Sequence, residues 1–194
     1  MKTEIICILD RSGSMSSMLT ETIGGFNSFI SEQQKVKGKA KVTLVQFDNV
    51  YEVLYAGVKL KDVPLLDTNT FKPRGMTALL DAIGKTLTEQ KARIETEKWA
   101  DKVIVVILTD GHENASQEFS TANVKHLTQV AQTEGWSFIY LGANQDAIEA
   151  AQKFGIDTKS VLNMVSGYAA TGDGMRGATR LYSNSVATMR TSVV

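Results

Sequence analysis

The chain has 194 residues, enough for one domain with a substantial core, and its 43% hydrophobic and 22% charged content is ordinary for a globular protein. Lys+Arg and Asp+Glu both number 21, so the formal charge is zero, and no run of basic residues signals nucleic acid or an anionic membrane. One cysteine, Cys7, rules out an intramolecular disulfide and, inside an apolar run, reads as a small buried hydrophobe.

The first apolar run is too short for a signal-peptide core or a membrane span, which predicts a cytoplasmic protein. Thr3 to Leu9 reads as a strand that stops at Asp10. Met18, Leu19, Ile23, Phe26 and Ile30 then recur at helical spacing, predicting a helix from about Met18 to Lys35. Gly24 and Gly25 inside it cost about 1 kcal/mol each relative to alanine, and close packing on a sheet would account for them. Lys41 to Phe47 and Val50 to Val58 form an antiparallel hairpin around a two-residue Asp48-Asn49 turn. A polar, irregular stretch from Lys61 to Gly75 holds both prolines and leads into a helix opened by Thr77. Val103 to Leu108, the most apolar run, has the character of a central parallel strand and ends at Thr109-Asp110-Gly111.

A third helix is expected from Thr121 to Glu134, then a strand from Ser137 to Leu141, a short helix from about Gln145 to Phe154 and a small strand from Ser160 to Met164. A glycine-rich loop (Gly167, Gly172, Gly174) precedes a last helix carrying Met175, Ala178, Leu181, Tyr182, Val186 and Met189 on one face. Alternation of strands and helices predicts an α/β, doubly wound, Rossmann-like three-layer sandwich, a single domain spanning 1–194. Such folds place their sites beyond the carboxyl ends of the strands. Asp10 and Asp110 both sit at such ends and converge if their strands are neighbours.

Asp10, Ser12 and Ser14 are all oxygen donors, with Gly13 allowing a tight turn between the hydroxyls. That set suits a hard divalent cation better than bond-breaking chemistry. Singly, each piece has a plainer reading. Ser12, Gly13 and Ser14 are turn residues, Thr77 is an N-cap, and Asp110-Gly111 is a common turn. Their order and their placement at strand ends and a helix start argue for the site.

Asp10-x-Ser12-x-Ser14, Gly75-Met76-Thr77 and Thr109-Asp110-Gly111 together resemble the metal-ion-dependent adhesion site of the von Willebrand factor A domain family. The resemblance spans almost the whole chain and fills all five of the family's coordinating positions. It implies a mostly parallel sheet with one antiparallel edge strand. It also implies a metal site in which Ser12 and Ser14 ligate through their hydroxyls and Thr77 ligates directly or through water. Asp10 and Asp110 would act through bound water and hydrogen bonds. Neutral hydroxyl ligands leave the cation's charge poorly quenched, so an Asp or Glu carboxylate from a partner protein would complete its shell. Magnesium fits best and manganese could substitute. Without metal the two aspartates repel, which should raise one pKa.

Arg11, Met76, His112 and Glu113 are candidates for the partner-binding rim. His126 reads as a helix-surface histidine, and Asn114-Ala115-Ser116 as a chance glycosylation match. Aspartyl-phosphate chemistry lacks its second acid, because Ser12 stands where it would be. Neither a P-loop nor a dinucleotide fingerprint occurs. A metal-assisted hydrolase and an assembly subunit with a structural metal are the competing functions. The lack of terminal cysteines and of an export signal points to an intracellular member of the bacterial or phage sort. In some relatives the final helix shifts on ligand binding, and the glycine-rich stretch before Met175 would permit it here.

Overall fold

A computed structural model of the protein describes residues 1–110, 112–142, 147–157 and 172–192. Its sheet runs in the order β3-β2-β1-β4-β5. The strands are β1 (Lys2–Asp10), β2 (Lys39–Phe47), β3 (Tyr51–Lys59), β4 (Lys102–Thr109) and β5 (Ser137–Gly142). All pair in parallel except β3, which is antiparallel to β2. Helices α1 (Leu19–Lys35), α2 (Leu79–Glu97), α3 (Thr121–Thr133), α4 (Ala147–Lys153) and α5 (Gly172–Thr191) accompany the sheet. The doubly wound architecture with one antiparallel strand is therefore as predicted.

β1 shows why two helix layers are required. Ile5, Cys7 and Leu9 face one cluster with Phe29 and Ile30 of α1 and with Tyr182 and Val186 of α5. Ile6 and Ile8 face the other, with Leu79, Ile83 and Leu87 of α2. Side chains alternate along a strand, so a run apolar at every position can be buried only between two layers. Cys7 is buried as expected, and burial pushes its thiol pKa up to about 12.

Several local expectations change. The β2–β3 connection has three residues, not two, because Asp48 folds inward. Its Oδ1 accepts from the Val50 amide at 2.6 Å, a side-chain-closed turn. The stretch from Lys61 to Gly75 is less polar in effect than in composition, since Val63, Leu66 and Phe71 are buried in the α1-side core. A 3-10 helix, Gly13–Met18, precedes α1. Gly24 has no neighbour that a Cβ would meet, so close packing does not explain it; the Gly25 carbonyl accepts from the Tyr182 hydroxyl at 3.3 Å. Gly172 and Gly174 belong to α5 and not to a loop. The strand expected at Ser160–Met164, Gly167 and the first residues of the helix expected at Gln145 lie outside the described residues.

Candidate metal centre

The strand order puts β1 beside β4, with Leu9 paired to Leu108, so Asp10 and Asp110 leave the same end of the sheet. Asp10 is fully buried. Its Oδ1 accepts from the Ser12 amide at 2.7 Å, and its Oδ2 accepts from the Thr109 hydroxyl at 2.5 Å. The carboxylate thus shapes its own loop and ties it to the last residue of β4. Ser12 is buried beside it while Ser14 is exposed, and their Oγ atoms lie 3.1 Å apart. Ser14 Oγ donates to Asp110 Oδ1 at 2.8 Å.

The third component arrives from far along the chain. Gly13 N donates to Gly75 O at 3.1 Å, backbone against backbone. Gly75 adopts φ +67, which favours glycine, and a Cβ there would lie 2.1 Å from Oδ1 of the exposed Asn49, whose side chain would have to turn away. Thr77, two residues on, is buried. Its amide donates to Asn114 Oδ1 at 2.9 Å, and its carbonyl accepts from the Asn114 amide at 3.0 Å.

Thr77 is not the N-cap that a plainer reading would make it. α2 begins at Leu79 after Ala78, and its first-turn amides are satisfied by the loop after β4. Leu80 N donates to Glu113 Oε2 at 2.8 Å, and Asp81 N donates to Ser116 Oγ at 3.0 Å. Asp81 returns the interaction, accepting from the amides of Gln117, Glu118 and Phe119. A carboxylate at a helix N-terminus is favourable, and here Glu113 supplies it across the chain.

The four rim candidates divide. Met76 is 57% exposed and His112 is exposed. Glu113 does not face a partner: its Oε1 accepts from the Ala115 and Ser116 amides, and its Oε2 from Leu80 N and Ser116 Oγ. Arg11 is buried, with Nε 3.2 Å from Asp48 Oδ2 and a terminal nitrogen 2.7 Å from Glu52. It is a strut beneath the site, because its backbone also bridges Phe47 O and Arg74 N. Thr109, which the sequence motif includes without a role, supports Asp10, while Asp48 and Asn114 are supporting residues that sequence reading did not place at the site. The one signal for Asp48 was its position at the end of a strand parallel to β1. Nothing local marked Asn114.

Burial pushes the Asp10 carboxyl above its ordinary pKa, and the nearby Asp110 charge pushes the same way. Burial also raises Asp110. Both carboxyls therefore resist ionisation beside the convergent hydroxyls, and a cation at this place would favour their ionised forms. In an octahedral shell with metal–oxygen distances of 2.0–2.1 Å, adjacent oxygens are about 2.9 Å apart. The Ser12–Ser14 separation of 3.1 Å fits such an edge, and the Ser14–Asp110 hydrogen bond of 2.8 Å orients one of its hydroxyls. Among the described residues no three His, Cys, Asp or Glu side chains cluster as metal ligands. The donor set fits a small, hard divalent cation.

Known structures share the fold. The vWF domain of the type V pili tip protein Mfa5 from Porphyromonas gingivalis superposes with a TM-score of 0.68 at 10% identity, covering 99% of this chain and 97% of that one. Proximal thread matrix protein 1 from the mussel byssus gives a TM-score of 0.59 at 15% identity; the match covers 96% of this chain, which spans 46% of the mussel protein. A further structure of the mussel protein has zinc in its metal-ion-dependent adhesion site, with a TM-score of 0.54 at 16% identity, over 93% of this chain and 46% of that one. No curated protein matches by sequence. The sequence profile of the von Willebrand factor type A domain matches residues 4–171, and the chain belongs to that family.

Proposed function

We propose that this chain is a cation-dependent protein-binding module. Ser12, Ser14 and Thr77 would hold Mg²⁺ or Mn²⁺, and Asp10 and Asp110 would act through hydrogen bonds and bound water. The cation supplies an electrophilic position that an Asp or Glu carboxylate of a partner protein can fill. The observation that carries this reading is the stitching of three distant loops, through Gly13–Gly75, Ser14–Asp110 and Thr77–Asn114, around one set of oxygen donors. The chain's own residues fix the hydroxyls, bury one carboxylate and leave Ser14, Met76 and His112 exposed. The zinc-bearing site of the mussel protein supports a metal at this place in the fold.

Binding is favoured over hydrolysis because Glu113, the acid nearest Asp110 in sequence, has both oxygens engaged by the start of α2 and its own loop. It is not poised to activate water. Among the described residues no helix is long and apolar enough to cross a membrane.

The test is calorimetric titration of chelator-treated protein with Mg²⁺ and Mn²⁺, beside a Ser12→Ala/Ser14→Ala variant. Saturable binding that raises Tm in the parent and disappears in the variant is the expected result. Partner capture that survives chelation would instead make any metal structural. Absence of binding at millimolar metal in a folded protein would overturn the proposal.

A further inference from the structure

At the opposite pole from the candidate metal centre, a groove of about 600 Å³ opens where β2 begins and β3 ends. Its floor is apolar, with Val36, Leu60 and half-buried Trp99, and its rim carries Lys39, Lys59 and Lys61. No acidic side chain lines it. The zero net charge of the chain conceals this patch, in which Lys39 and Lys41 of β2 are joined by strand pairing to Lys59 at the end of β3 and Lys61 just after it. Lys41 and Lys59 are direct cross-strand partners, an arrangement of like charges that is unfavourable by itself. Lys41 is neutralised by Glu97 at 2.7 Å and lies 4.8 Å from the Trp99 ring centre. Lys39, Lys59 and Lys61 have no ion pair among the described residues.

Three unneutralised ammonium groups around an apolar, aromatic floor call for a ligand with both anionic groups and a flat ring. The volume lies within the usual range for small-molecule sites, about 300–1,000 Å³. Lysine serves phosphate as a point charge, and indole rings stack on bases regardless of sequence. We propose that this groove binds a nucleoside phosphate, its phosphates held by Lys39, Lys59 and Lys61 and its base against Trp99. The same chemistry is offered by a free nucleotide or by a single strand of nucleic acid.

The experiment is titration with ADP, pyrophosphate, an oligo-dT strand and a poly-glutamate peptide, all in chelator. The metal site then plays no part, and the outcome is independent of the proposal above. Binding is followed by calorimetry and by tryptophan emission, where Trp136, buried in the other core cluster, is the fixed reference. The expected result is saturable ADP binding, at least tenfold weaker in Lys59→Gln/Lys61→Gln and at least tenfold weaker in Trp99→Ala, with pyrophosphate binding less tightly than ADP. Tighter binding of oligo-dT, with a steep salt dependence, would assign the ligand to a nucleic acid strand; ADP at least as tight would assign it to a free nucleotide. Equal affinity for pyrophosphate or poly-glutamate would overturn the proposal, because charge alone would then suffice. So would no binding of any probe at millimolar concentration.

Discussion

Thr77 and Asn114 hold each other twice, Thr77 N to Asn114 Oδ1 at 2.9 Å and Asn114 N to Thr77 O at 3.0 Å. This pair joins the loop before α2 to the loop after β4, which are 37 residues apart in sequence. Asn114→Ala removes the side-chain half and leaves the Thr77 amide without its acceptor. Residues that orient metal ligands are worth about 10–100-fold in affinity. The expected outcome is a loss of that order in Mg²⁺ and Mn²⁺ affinity with the fold retained, read by calorimetry and circular dichroism.

Asp48 neutralises Arg11 inside the protein and also accepts from Arg74 Nε at 2.7 Å. Asp48→Ala leaves the buried Arg11 guanidinium with the half-exposed Glu52 as its one carboxylate and a long contact to Gln46 Oε1 at 3.4 Å. Breaking a buried ion pair by removing one partner costs about 3–5 kcal/mol. Urea denaturation should show a loss near the lower figure, because Glu52 remains. Arg74→Ala, on the exposed side of the same carboxylate, should cost far less than Asp48→Ala, because a solvated ion pair is screened.

Gly75→Ala meets two obstacles, the left-handed φ of +67 and the contact with Asn49 Oδ1. Strain of this kind costs about 1–3 kcal/mol. Adding Asn49→Gly removes the clash but not the φ penalty, so the double variant should recover part of the stability and not all of it. Full recovery in thermal melts would mean that the contact alone demands glycine.

The pH dependence of the metal-free protein follows from Asp10. Its native pKa is raised, first by burial and also by Asp110, so the native state holds the proton more tightly than the unfolded chain. Stability from this group therefore increases as pH falls from the raised native value towards the unfolded value of about 3.9. In chelator at pH 7, Asp10→Asn should be more stable than the parent, since it resembles the protonated carboxyl. The difference should shrink as pH falls through that window. With Mg²⁺ present the order should reverse at pH 7, because the cation favours the ionised carboxylate. A pH-independent difference in Tm would contradict the assignment.

The sequence by itself determined the layers and the donors. An unbroken apolar β1 and β4 require helices on both faces, and Asp10-x-Ser12-x-Ser14 places alternating oxygens just beyond a strand end. Those are local consequences of strand periodicity and turn chemistry, and neighbouring residues are enough to reveal them. Only the tertiary structure decided which residues support the site. Arg11 looked like a surface cation between two ligands, yet β2 brings Asp48 beneath it and makes it a buried strut. Glu113 looked like a rim acid, yet the start of α2 offers an unsatisfied amide at Leu80 and captures it. Thr77 looked like an N-cap until Glu113 and Ser116 took that role from 36 and 39 positions further along the chain. The lysine groove was equally hidden, since Lys41 and Lys59 meet only when β3 folds back on β2. In each case the deciding partner is distant in sequence, and a pairing of that kind is set by strand order and loop closure, which no short stretch of residues encodes.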